Sequence, residues 1–123
     1  MSVIVRDDGF HADDYRGTQS VEIASDTLPQ ALPDLAGADL VAVSFPSFAD
    51  GRGFTLAQAI RAAGYTGRLR ARGHLIADQY AMARRSGFDE VEISDALAAR
   101  QPAEQWLFRA DWQSNSYRAR LRS

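Results

Sequence analysis

The side chains able to do chemistry sit where apolar runs end. The densest group is Asp50-Gly51-Arg52-Gly53, just after the run Leu40 to Phe45. Glycines let a backbone approach a ligand closely. A helix starting nearby offers free N–H groups and a positive dipole end. Arg52 adds a planar fork suited to sulfite, sulfate, phosphate or carboxylate. Together these would form an anion site. The same residues also fit a plain strand-to-helix turn, with Asp50 bonding its own loop amides and Arg52 in solvent.

Arg72, Gly73 and His74 end a second run and bring another cation and the histidine best placed for acid–base work. Asp78 and Gln79 fall early in the next helical stretch. Asp78 points to its polar side. Gln79 falls inside its apolar face, where an amide bonds either a ligand or a backbone group. Ser25-Asp26 and Ser94-Asp95 end two further runs. In parallel α/β sheets and barrels the carboxyl ends of the strands hold ligands, so these groups would share one rim. The candidate anion- or ligand-binding residues are Asp50, Gly51, Arg52, Gly53, Arg72, His74, Asp78 and Gln79. No catalytic residue is assigned.

Several chemistries have no residues to carry them. The chain of 123 residues has no cysteine, which removes disulfides, thiolate metal sites and a cysteine nucleophile. His11 and His74 are too few for a histidine-rich metal site, and no metal is expected. No P-loop is present. Gly51-Arg52-Gly53 lacks the third glycine and downstream acid of a dinucleotide fingerprint, so no cofactor is evident. All 14 basic residues are arginine, and the net charge is −2. That balance predicts neither nucleic acid nor an acidic membrane as a partner. No apolar run reaches spanning length and no secretory signal pattern opens the chain, which predicts a cytoplasmic protein.

The elements that must position these groups read as alternating strands and helices. Val3 to Val5 predicts a short strand, followed by an irregular lead-in to residue 20. Strands are then expected near residues 21, 40, 68 and 90. A capping box, Thr55 to Gln58, predicts a helix to about Ala63. A longer helix is expected from Leu75 to Ser86, ending at Gly87. Pro102 starts a further helical turn. The fold class is α/β: repeated βα units around a mainly parallel sheet of four or five strands, either an open sandwich or half-barrel-like. The expected division is lead-in 1–20, one α/β domain 21–105, and an aromatic, arginine-rich tail 106–123 that covers the domain or a second copy. One strand breaks the pattern. Arg68, Arg70 and Arg72 share a parity, which predicts an edge strand or a polar cavity or interface rather than a buried position.

Phe45 to Phe54, Tyr65-Thr-Gly-Arg-Leu-Arg-Ala71, Asp78-Gln79 and Gly87-Phe-Asp89 together resemble a bacterial family known as domain of unknown function 934. The likeness is good over about residues 40–93. Family members are described as oxidoreductases of sulfite reduction because their genes lie beside those of sulfite reductase and sulfate assimilation. Two positions depart from the family pattern. Ser86 stands where a cysteine is frequent, and His74 where another polar residue, commonly acidic, is usual. The resemblance implies an accessory to assimilatory sulfite reduction and cysteine biosynthesis that binds the sulfite reductase hemoprotein or its electron donor. The alternatives are a small anion-binding enzyme or oxidoreductase using the rim groups, and a homodimeric scaffold without catalysis.

Overall fold

The chain forms strands β1 (Ser2–Arg6), β2 (Gly9–His11), β3 (Ser20–Ala24) and β4 (Leu40–Phe45), then helix α1 (Arg52–Ala62). Strand β5 (Arg68–Gly73), helix α2 (Tyr80–Ser86), strand β6 (Glu90–Ser94) and helices α3 (Asp95–Arg100) and α4 (Ala103–Phe108) complete it. This is a computed structural model that describes residues 2–47, 49–108 and 110. The strands form one sheet in the order β2-β1-β6-β5-β4-β3. β3 to β6 are mutually parallel, and β1 and β2 add antiparallel to β6.

The fold is thus mixed α/β with a mostly parallel sheet. Among the described residues the sheet has six strands rather than four or five. The lead-in expected before residue 20 contains a second strand: Asp7-Asp8-Gly9 turns the chain, with Gly9 at φ 121°, and β2 returns along β1. β1 is not peripheral, since it lies between β2 and β6 and its Ile4 and Val5 are fully buried. The βα rhythm is also incomplete. Between β3 and β4 there is only a 3₁₀ turn, Pro29–Ala31. Pro29 and Pro33 remove backbone donors there, which a longer helix would need.

The parallel strands lie in chain order without reversal, so the sheet lacks the switch-point crevice of doubly wound folds. Alternation along the strands divides the two faces. One carries Val41, Val43, Phe45, Leu69, Ala71, Val91 and Ile93, packed with Phe54, Leu56 and Ile60 of α1 and Tyr80 and Ala83 of α2. The opposite face carries Arg68, Arg70 and Arg72, aligned with Glu90 and Glu92 of β6. β5 is therefore a central strand, and the expectation of an edge is overturned. The reason is pairing: Arg70 is fully buried, but its guanidinium meets Glu90, Glu92 and Asp13.

Helix boundaries shift modestly. α1 starts at Arg52 rather than Thr55, and α2 at Tyr80 after a 3₁₀ turn, Ala77–Gln79. Gly64 and Gly87 follow the ends of α1 and α2 with φ of 103° and 117°. Trp106 of α4 is buried edge-on against Tyr80, and its indole N–H donates to the Gln101 carbonyl at 2.9 Å. The remainder of the expected tail, Arg109 and residues 111–123, lies outside the described residues, as does Phe48. Among the described residues, no helix is long and apolar enough to cross a membrane.

Candidate functional site

β4 delivers the chain to the rim. Its residues are apolar on both parities because both faces are covered. Phe45 ends it, wedged between Phe54 at 5.1 Å and Phe88 at 5.9 Å between ring centroids. This ring explains a glycine: a Cβ on Gly53 would lie 2.3 Å from it. Gly73 is required more strictly, with φ 123° and a Cβ that would lie 2.4 Å from the Phe45 carbonyl oxygen. Gly51 has open space around it and an ordinary φ of −79°. Gly53 of the expected site, and Gly73 beside Arg72, are thus set by the packing around Phe45.

Asp50 organises the turn. Its carboxylate accepts the Arg52 backbone N–H at 3.1 Å and the Arg52 side chain at two points, both 2.9 Å. It also accepts the Ser25 hydroxyl at 2.7 Å. Ser25 is itself buried at the end of β3. The acid thus serves the first turn of α1, where a negative charge also suits the helix dipole. Arg52, and after it Ser25, hold its carboxyl well below the ordinary carboxylate range. An acid held so firmly ionised is a poor proton acceptor. Asp50 bonds its loop amide and Arg52 stays 64% exposed, as the plain-turn reading expects, with the guanidinium folded back onto Asp50.

Arg52 and Arg72 come together. Both line a shallow cleft of about 370 Å³ with Ser25, Asp26, Pro46 and Gly73, at the carboxyl ends of β3, β4 and β5. Arg72 is also tied down, to Glu92 at 3.1 Å and Glu22 at 3.2 Å. The cleft therefore presents two guanidiniums that already have carboxylate partners.

The other expected residues do not join it. His74 is exposed and lies outside the cleft lining, and its backbone N–H donates to the Phe45 carbonyl at 3.0 Å. Gln79 accepts the Ile76 backbone N–H at 3.1 Å, which stabilises the 3₁₀ turn before α2. It borders a separate groove with Gly51, Phe54, Met82 and Arg85. Asp78 borders a third depression, with Glu104 and Phe108. Ser94 accepts the Leu97 N–H at 3.2 Å and is the N-cap of α3.

The acidic partners of the arginine strand were not anticipated as site residues. Glu90 and Glu92 stand on β6 with the same alternation as Arg68, Arg70 and Arg72 on β5, and the register pairs Arg70 with Glu90 and Arg72 with Glu92. Matching the two alternations along the sequence would have found them.

Neither a curated protein nor a solved structure matches the chain. A family model does, over residues 20–121, and its description is a bacterial protein of unknown function, DUF934. That match spans β3 to β6, the rim cleft and helices α1 to α4, and the chain belongs to this family.

Proposed function

We propose that this chain is a binding accessory of assimilatory sulfite reduction in the bacterial cytoplasm, not the catalyst of a step. The observation that carries this reading is the neutralised rim. Asp50 is bound by Arg52 and Ser25, and Arg72 by Glu92 and Glu22. Activated acids and nucleophiles depend on groups poised near neutrality, whereas a rim of satisfied ion pairs suits recognition of a charged surface. The link to sulfite reduction comes from the family resemblance, which implies the reductase hemoprotein or its electron donor as partner. The test is a deletion strain grown on sulfate or on sulfide, with co-purification of the tagged chain and the hemoprotein. A growth defect on sulfate, relieved by sulfide, is expected. Normal growth on sulfate together with no co-purification would rule the proposal out.

The shared cleft of Arg52 and Arg72 favours one second reading, a small anion-binding enzyme or oxidoreductase. Two arginines bordering one depression can hold an oxyanion by charge-assisted hydrogen bonds. Calorimetric titration with sulfite, sulfate, phosphate and nicotinamide cofactors tests it. Binding that disappears in Arg52→Ala supports this reading, and absence of binding at millimolar concentration removes it.

A further inference from the structure

The second arginine cluster lies on the same sheet face as Arg72 but toward the other ends of the parallel strands. Arg6 is the last residue of β1, Arg68 the first of β5, and Glu90 the first of β6. Glu90 is 2% exposed and accepts from three arginines: Arg6 at 3.1 Å, Arg68 at 3.0 Å and Arg70 at 2.6 Å. Arg70 also meets Glu92, which Arg72 shares, so three guanidiniums face one carboxylate and part of a second and keep a local excess of positive charge.

That excess is met from outside the sheet. Residues 12–19 connect β2, at one edge, to β3, at the other, and contain neither helix nor strand. This strap places Asp13 and Asp14 against the cluster. Asp13 takes Arg70 with both oxygens, at 3.1 and 3.2 Å, the bidentate fork–fork geometry. One oxygen of Asp14 accepts from Arg6 at 2.8 Å and from Arg68 at 2.6 Å. The acids themselves are largely in solvent, 41% and 58% exposed, while the Arg70 side chain beneath is 1% exposed. Two exposed carboxylates therefore fill a built site whose floor is buried.

We propose that Arg6, Arg68 and Arg70 form a binding site for a small dianion with oxygen acceptors, and that Asp13 and Asp14 occupy it as a tethered stand-in. Three acceptor oxygens and two negative charges describe the occupant, which fits a tetrahedral divalent oxyanion or a short dicarboxylate. Strap length limits its size. Crossing five inter-strand gaps needs about 24 Å, and the nine peptide units from His11 to Ser20 reach about 30 Å at most. Tyr15 also holds the strap through Asp39, and Asp39 accepts the Thr18 backbone N–H at 3.2 Å. The strap can lift by about a side chain's length but cannot swing clear, which admits a small ion and excludes a macromolecule. This site lies apart from the Arg52–Arg72 cleft along the strands, with Glu92 accepting from both Arg70 and Arg72 between them, and neither proposal depends on the other.

The test uses the full chain and the variant Asp13→Asn/Asp14→Asn, titrated with sulfate and, separately, malonate. Thermal unfolding is followed in sodium chloride of equal ionic strength. A tethered competitor lowers apparent affinity by the fraction of time it occupies the site, so the variant should bind one of the dianions at least about tenfold more tightly than the wild type. Its unfolding temperature should rise in that dianion beyond the rise in chloride. Preference for sulfate over malonate identifies an inorganic oxyanion, and the reverse a dicarboxylate. Adding Arg68→Gln should abolish the gain, whereas adding Arg52→Ala should leave it intact. A folded variant that binds neither dianion more tightly than the wild type overturns the proposal, as does a gain lost with Arg52 and kept without Arg68. Should the double variant not fold, Asp14→Asn alone, at the more exposed acid, is judged by the same comparison.

Discussion

The two faces of β5 solve the same problem by opposite means. Leu69 and Ala71 point toward α1 and α2 and are buried among aliphatic and aromatic side chains. Arg68, Arg70 and Arg72 point the other way, where Arg70 is buried just as completely. The apolar face is stabilised by area removed from water, a term that tolerates imperfect neighbours. The charged face has no such margin. Moving a guanidinium out of water costs several kcal/mol unless each donor finds an acceptor. No buried side-chain nitrogen or oxygen among the described residues lacks a hydrogen-bond partner. The difference predicts that the charged face is the more brittle of the two.

The largest expected effect comes from breaking that face at its hub. Glu90→Ala removes the shared acceptor of Arg6, Arg68 and Arg70. It should destabilise by about 3–5 kcal/mol in urea unfolding, because buried cations lose their counter-charge. Adding Arg70→Met to Glu90→Ala should recover part of that loss. A double variant no more stable than Glu90→Ala alone would show that uncompensated charge is not the cause. On the opposite face, Leu69→Ala should cost about 2–4 kcal/mol by lost transfer energy and cavity formation. Its cost should change little with salt, whereas the cost of Glu90→Ala should fall somewhat as salt screens the partly exposed Arg6 and Arg68. Equal salt responses would erase the distinction between the faces.

The apolar face was legible in the sequence and the charged face was legible only by half. Leu40 to Phe45 announces a doubly covered strand, and Gly64 and Gly87 mark two helix ends, because these signals are local. The odd parity of Arg68, Arg70 and Arg72 is local too, and it marks the face correctly. Its partners are not local. Asp13 and Asp14 lie more than fifty residues away and reach the arginines only because the strap crosses the sheet. Without them a buried arginine strand looks forbidden, which is why an edge was the natural expectation. The rim was legible in outline for a similar reason. Strand topology gathers Arg52 and Arg72, but the pairing of Arg52 with Asp50 and of Arg72 with Glu22 depends on side-chain reach rather than on spacing.

Gly53 sharpens the contrast from the apolar side. In an ordinary exposed helix, Gly→Ala stabilises by about 0.5–1 kcal/mol through the unfolded chain. Gly53 lies inside α1, so propensity alone predicts a gain. The Phe45 ring 2.3 Å from the added Cβ predicts the reverse. That ring is only 2% exposed and held between Phe54 and Phe88, so it has nowhere to retreat. Gly53→Ala should therefore destabilise by about 1–3 kcal/mol, the usual range for overpacking. A stabilised Gly53→Ala, read from the urea midpoint, would show that the aromatic cluster is looser than its geometry.

The smallest effect is the pH response of the strap, which lies against the charged face. The Arg70 fork holds the Asp13 carboxyl below its ordinary value of 3.8, against a smaller upward push from burial. Arg6, and after it Arg68, hold Asp14 well below the same value. Burial pushes Glu92 up, but the Ser2 hydroxyl, Arg72 and Arg70 outweigh it and leave that carboxyl below its ordinary 4.5. A carboxyl lowered by folding stabilises the native state when ionised, because the unfolded chain binds its proton first. This contribution is complete above the ordinary carboxylate values and is lost as pH falls through the lowered ones. Urea midpoints should thus be level near neutrality and decline below about pH 4. Asp14→Asn removes one of the titrating groups and should flatten that decline while lowering the neutral midpoint only slightly, since exposed pairs are well screened. Leu69→Ala should lower the whole curve without changing its slope. If Asp14→Asn leaves the acid slope as steep as in the wild type, the strap's ion pairs do not contribute to acid stability.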